Sequence, residues 1–112
     1  MKLSEHQQKF AWNVSCLIAQ VFIRGYACTL GEAYRTPEQA ALNEAKGIGI
    51  KNSQHCKRLA IDLNLFKDGE YLSDTESHRP FGEYWESLDP LNRWGGRYGD
   101  GNHYERMETP WT

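Results

Sequence analysis

Two histidines and an aspartate, His55, Asp62 and His103, are the side chains of this 112-residue sequence whose types and spacing could do chemistry. His55 and Asp62 lie in Ser53-Gln54-His55-Cys56-Lys57-Arg58-Leu59-Ala60-Ile61-Asp62, and His103 closes Asp100-Gly101-Asn102-His103. Two imidazoles and one carboxylate are a donor set that suits zinc and leaves one coordination position open. A water at an open position can become a nucleophile near neutral pH. Asp100, three places before His103, is the candidate base for that water's proton. His6 and His78 join no such pattern and read as surface or hydrogen-bonded residues.

The elements that must position these groups are legible in part. Ser4-x-x-Gln7 has the form of a capping box, and Phe10, Val14, Leu17, Ile18, Val21 and Phe22 follow at helical spacing up to Arg24-Gly25. Ala27 to Leu30 reads as a short strand. Thr36-Pro37-Glu38-Gln39 predicts a second helix start, with the helix running to about Lys46 and stopping at Gly47. Gly47 to Asn52 reads as a flexible loop. In Leu59 to Phe66 the apolar Leu59, Ile61, Leu63 and Leu65 alternate with Ala60, Asp62 and Asn64, so Asp62 projects from the polar face of a strand. Fully extended, His55 to Asp62 would span roughly 23 Å. One metal can bind both only if the chain turns back near Cys56 to Arg58. Asp68-Gly69 predicts a hairpin, with Glu70 to Leu72 returning, and a solvated turn is favoured there over a calcium site at Asp68 and Glu70. Pro80 is expected to open a third helix that carries Phe81, Tyr84, Trp85 and Leu88 on one stripe and ends at Asp89-Pro90. Trp94 to Gly101 is turn-rich, and a strand follows at His103. The tryptophans read as core, with Trp94 also a candidate for the wall of the substrate cleft. The sum is an α+β fold with a small antiparallel sheet flanked by helices.

Composition sets outer bounds. The length argues for one domain over residues 1–112. Charged residues are 25% and hydrophobic residues 39%, which is ordinary globular usage. The net charge of −2 and the lack of a long Lys/Arg cluster argue against nucleic acid as a partner. No apolar run approaches the ~20 residues of a membrane span. The N-terminus shows no apolar signal region, so the expected site of synthesis is the cytoplasm. Cys16, Cys28 and Cys56 form no Cys-x-x-Cys and read as reduced thiols. Cys28 could still approach the site in space.

Ser53-Gln54-His55 through Ala60-Ile61-Asp62 resembles the Ser-x-His-x-x-Gly-x-Ala-x-Asp motif of the D-alanyl-D-alanine metallopeptidase family, which includes phage endolysins and shares its fold with the hedgehog domain. The phrase Trp94-Gly95-Gly96-Arg97-Tyr98 ahead of Asp100 is also similar to the small cell-wall members, and the resemblance covers about Leu30 to Glu105. It implies that His55, Asp62 and His103 bind zinc, that Asp100 is the catalytic base, and that Arg35 holds the scissile carbonyl or its oxyanion. Apart from the resemblance, Arg35 reads equally well as a surface salt bridge. The implied activity is hydrolysis of peptide bonds in bacterial peptidoglycan, by a monomer, with L-alanyl-D-glutamate as the expected bond. The implied setting is a phage endolysin made in the host cytoplasm and acting on the wall after release. A D-alanyl-D-alanine carboxypeptidase and a zinc-containing binding module of the same fold are the alternatives. One departure bears on structure: Arg58 stands where the family motif has glycine.

Overall fold

A computed structural model describes residues 1–48 and 53–112. Helix α1 (Leu3–Ile23) is followed by strand β1 (Ala27–Leu30), helix α2 (Pro37–Ala45), a 3-10 turn (Gln54–Lys57) and strands β2 (Ala60–Lys67) and β3 (Glu70–Leu72). Helix α3 (Thr75–Leu88), strand β4 (Asn92–Trp94), a second 3-10 turn (Gly95–Tyr98) and strand β5 (His103–Arg106) complete the order. The strands form one five-stranded antiparallel sheet in the order β1-β2-β5-β4. β3 pairs with the far end of β2, beyond the residues that β5 occupies. This is the expected α+β architecture.

The sheet is two-faced because side chains alternate along a strand and paired residues share a face. The register pairs Asp62 with His103, Ala60 with Glu105 and Arg93 with Glu105, which puts Asp62, His103, Glu105 and Arg93 on one face. Ile61 and Trp94 both pair with Tyr104, so these three lie on the other, with Leu63 and Leu65. That second face packs with Phe10, Leu17 and Val21 of α1 and Phe81 and Trp85 of α3 into the core. Phe10 meets Trp85 edge to face, with centroids 5.6 Å apart. Trp94 is therefore core and does not wall the cleft, and Cys28, paired with Leu65, also packs against the core side.

Several local expectations need correction. The first helix is capped two residues early: Glu5 Oε1 accepts from the Lys2 backbone N–H at 3.1 Å, so Ser4 and Gln7 are already inside it. Its buried stripe is His6, Phe10, Asn13, Leu17 and Val21, whereas Phe22 is exposed. The two polar members are used: Asn13 Oδ1 accepts from Asn92 Nδ2 at 3.1 Å, and His6 Nδ1 accepts from Arg106 Nε at 3.1 Å. Pro80 does not open α3 but sits inside it. The helix starts at Asp74, whose carboxylate accepts from both the N–H and the hydroxyl of Ser77, and the burial of Phe81 and Trp85 in the core offsets the backbone bond that Pro80 removes. β4, just ahead of the turn-rich stretch, is not expected from the sequence, because three residues are too short to display alternation. The second helix follows expectation, with Thr36 Oγ1 accepting from the Gln39 N–H and Gly47 at φ +73° beyond the C-cap. So does the hairpin, with positive φ at both Asp68 and Gly69. Of the loop expected over Gly47 to Asn52, positions 49–52 lie outside the described residues.

Candidate metal and catalytic site

The chain reverses between His55 and Asp62 as their shared use requires. Ser53 Oγ accepts from the His55 N–H at 3.1 Å and starts the 3-10 turn. Arg58 ends that turn in the left-handed region at φ 57°, ψ 38°. This conformation explains why a glycine suits the position. Here the Arg58 guanidinium stacks 4.0 Å from the centroid of Tyr34, a contact glycine could not make.

Three segments converge on one point. The turn supplies His55, β2 supplies Asp62, and β5 supplies His103 opposite Asp62. His55 Nε2 lies 3.3 Å and His103 Nδ1 3.1 Å from the same Asp62 oxygen, Oδ1. One donor atom from each of the three lies within 4.8 Å of the others, and among the described residues this is where three metal-capable side chains gather. The opposite ring nitrogens face acceptors: His55 Nδ1 lies 3.4 Å from the Ala33 carbonyl, and His103 Nε2 lies 2.9 Å from Glu105 Oε1. Such partners orient an imidazole so that the other nitrogen is free to bind a metal. The donor set, its spacing and its outer partners fit a zinc ion.

The electrostatics carry the same signature. Burial alone would raise Asp62, but hydrogen bonds from His103 and His55 prevail and bring its carboxyl down to about 2. Burial would lower His103, yet Asp62 and Glu105 hold it up at about 9. A cation is thus favoured where these carboxylates converge. Asp100 shifts in the opposite sense. Partial desolvation of its carboxyl raises it, and the Asp62 and Glu105 charges add while the histidines oppose. A raised carboxyl suits a group that must take up a proton.

A cavity of about 550 Å³ opens over this point, lined by His55, Asp62 and His103 together with Arg35, Arg93 and Asp100. The segment after β1 is laced to β2: the Gly31 N–H donates to the Asp62 carbonyl at 2.8 Å, and the Asp62 N–H to the Glu32 carbonyl at 2.9 Å. A Cβ on Gly31 would stand 3.0 Å from that Asp62 oxygen, so the close approach favours glycine. The lacing carries Arg35 to the cavity, where its side chain pairs with Glu32. Glu32 Oε1 in turn lies 3.6 Å from His55 Nε2. Arg35 Nε is buried without a partner among the described residues. On the far side Asp100 is fixed through its backbone, its N–H donating to the Gly95 carbonyl and its carbonyl accepting from the His103 N–H. A Cβ on Gly95 would come within 2.4 Å of the Asp100 carbonyl oxygen.

The five site residues expected from the sequence, His55, Asp62, His103, Asp100 and Arg35, thus line one cavity. The sequence reading missed Glu32, Glu105 and Arg93. Glu105 was within reach of it, since a residue two after His103 on a strand must share its face. Cys56 adjoins His55 in sequence, and Cys28 lies on the opposite face of the sheet.

Comparison with known proteins agrees with this geometry. The profile of the D-alanyl-D-alanine carboxypeptidase family matches residues 46–106, more than half of the sequence and the stretch that carries all three clustered donors. The chain belongs to that family. Among solved structures, it resembles the L-Ala D-Glu endopeptidase ChiX of Serratia marcescens, with TM-score 0.63 and 16% identity over 72% of this chain and 67% of that one. It also resembles a variant of the vancomycin resistance D,D-pentapeptidase VanY solved in complex with Zn(II), with TM-score 0.60 and 18% identity over 88% of this chain and 70% of that one. At these identities the likeness is one of fold. No curated protein matches the chain.

Proposed function

We propose that this chain is a zinc-dependent peptidase of bacterial peptidoglycan, acting as one domain over residues 1–112, with His55, Asp62 and His103 as the metal ligands. The observation that carries the reading is the meeting in one cavity of that donor set with an acid, Asp100, and a buried unpartnered guanidinium nitrogen on Arg35. A structural zinc site would need neither, and it would close its fourth position, often with cysteine. Bound zinc supplies a Lewis acid and lowers the pKa of water to about 7. His55 Nε2, Asp62 Oδ1 and His103 Nδ1 would hold it. Asp100 accepts the proton of the attacking water and passes it to the departing amine nitrogen. Arg35 donates to the carbonyl oxygen as negative charge develops there, and its pairing with Glu32 keeps it aimed.

The preferred bond in this reading is L-alanyl-D-glutamate, cut by a phage endolysin that is made in the host cytoplasm and works as a monomer on the wall. The shared fold with an L-Ala D-Glu endopeptidase supports it. A carboxypeptidase acting on terminal D-alanine is the second reading, favoured by the description of the matching family.

Mass spectrometry of purified peptidoglycan after digestion, with zinc and with chelator, tests both. Chelator-sensitive new ends establish the peptidase: a freed D-glutamyl amine identifies the endopeptidase, and released D-alanine the carboxypeptidase. Asp100→Asn should retain zinc and lose turnover by about 10²- to 10⁴-fold. A variant that stays fully active would exclude Asp100 as the base.

A further inference from the structure

The cavity holds a second arginine that the reaction does not use. Arg93 stands on β4 opposite Glu105, two residues along β5 from His103. Its Nε donates to Glu105 Oε2 at 2.6 Å. The other Glu105 oxygen faces His103 Nε2, and the Tyr98 hydroxyl donates to Oε2 at 3.2 Å. Glu105 is thus buried, fully engaged and fixed, and it clamps one edge of the Arg93 guanidinium. The two Nη groups of Arg93 make no hydrogen bond to any described residue, and the side chain is 30% exposed at the cavity. The Tyr98 ring lies 5.2 Å from the guanidinium carbon. A planar fork held by one edge, with its other donors facing a cleft, is built to receive a carboxylate in two parallel hydrogen bonds.

Its position says which carboxylate. Arg35 approaches the metal cluster from the His55 side, through Glu32, whereas Arg93 approaches from the His103 side, through Glu105. A substrate whose carbonyl oxygen points to Arg35 therefore extends toward Arg93 on the far side of the cluster. Arg93 lies one strand over, about 5 Å, and two residues along, about 7 Å, from His103, so a carboxylate on the residue after the scissile carbonyl would lie between the cluster and the Arg93 guanidinium. Resting on the peptidase reading, we propose that Arg93 binds a free α-carboxylate on the residue that supplies the departing amine. Two wall bonds present that group. In L-alanyl-D-glutamate the glutamate continues the chain through its side-chain carboxyl and leaves the α-carboxylate free. In terminal D-alanyl-D-alanine the carboxylate is the chain end.

The test pairs each peptide with its α-carboxamide. Zinc-loaded wild type should cleave the acid about 10- to 100-fold better in kcat/KM than the amide, chiefly through KM. Arg93→Gln should lose that preference, its acid-to-amide ratio in kcat/KM falling toward one, and Arg93→Lys should regain part of it. Calorimetry with zinc-loaded Asp100→Asn, which binds without turnover, should show the same acid-over-amide preference and its loss on adding Arg93→Gln. The peptide that is cleaved identifies the source of the carboxylate. Equal losses on acid and amide in Arg93→Gln would overturn the inference and leave Arg93 a brace for Glu105. Cleavage and binding of neither peptide by wild type would instead overturn the peptidase reading, and the inference with it.

Discussion

Arg58 shows how one residue can depart from a motif and keep its geometry. The left-handed backbone there costs roughly 1–2 kcal/mol for a side-chain-bearing residue, and the stacking on Tyr34 returns about 0.5–1 kcal/mol. Arg58→Gly should therefore leave stability unchanged or raise it by up to about 1 kcal/mol. In the Tyr34→Ala background the same change should stabilise more. A double-mutant cycle by urea denaturation checks this, and a loss of stability in both backgrounds would contradict it. At this scale the sequence was most informative. Residue type and spacing were enough to single out His55, Asp62, His103 and Asp100, because metal chemistry accepts few donors. Arg35 came only through the family resemblance. Glu32 and Arg93 were invisible, because an acidic or basic residue outside a motif looks like any solvated charge until its register is known.

Among the elements, α3 contains the buried titratable group that best separates folding from catalysis. His78 accepts from the Tyr104 hydroxyl, 2.8 Å from Nδ1, and burial holds it down at about 4. Burial also pushes the Tyr104 phenol up, so that hydroxyl keeps its proton to donate. The unfolded chain protonates this histidine first, near pH 6.5. Stability that is present above pH 6.5 should fall as the pH drops toward 4, by on the order of 3 kcal/mol, and then level off. Asp62 and His103 act outside that window, below about pH 4 and between about 6.5 and 9. Urea midpoints of chelator-treated protein from pH 7.5 to 4 would show the slope, and His78→Gln should flatten it. Elements were legible where they were long or carried a cap. α1 and β2 announced themselves by periodicity and α2 by its cap, whereas α3 was started at Pro80 although Asp74 and Ser77 spelled out its cap. The three-residue β4 offered nothing to read.

Over the whole molecule, His103 comes from a segment more than forty residues beyond His55 and Asp62, and the cluster closes a turn onto a sheet that α1 and α3 back from behind. Metal bound only by the folded chain stabilises it by mass action. Free zinc at a hundred times its dissociation constant should add about 2.7 kcal/mol and raise the Tm by roughly 10–20 °C. Scanning calorimetry against a chelated control measures this, and His103→Ala should abolish the shift. An equal Tm with and without zinc would remove the metal from the account of this fold.

The alternation along β2 and β5 has a further consequence. Chemistry and packing are interleaved one residue at a time: Asp62 between Ile61 and Leu63, His103 and Glu105 on either side of Tyr104. Substitutions on one face can accumulate without disturbing the other. A single inserted or deleted residue in either strand would exchange the two sets, turning carboxylates and imidazoles into the apolar interior and leucines into the cleft. Drift in this lineage should therefore be freer in the identity of the core-facing residues than in strand length, with gains and losses of chain gathered in the connections outside these two strands.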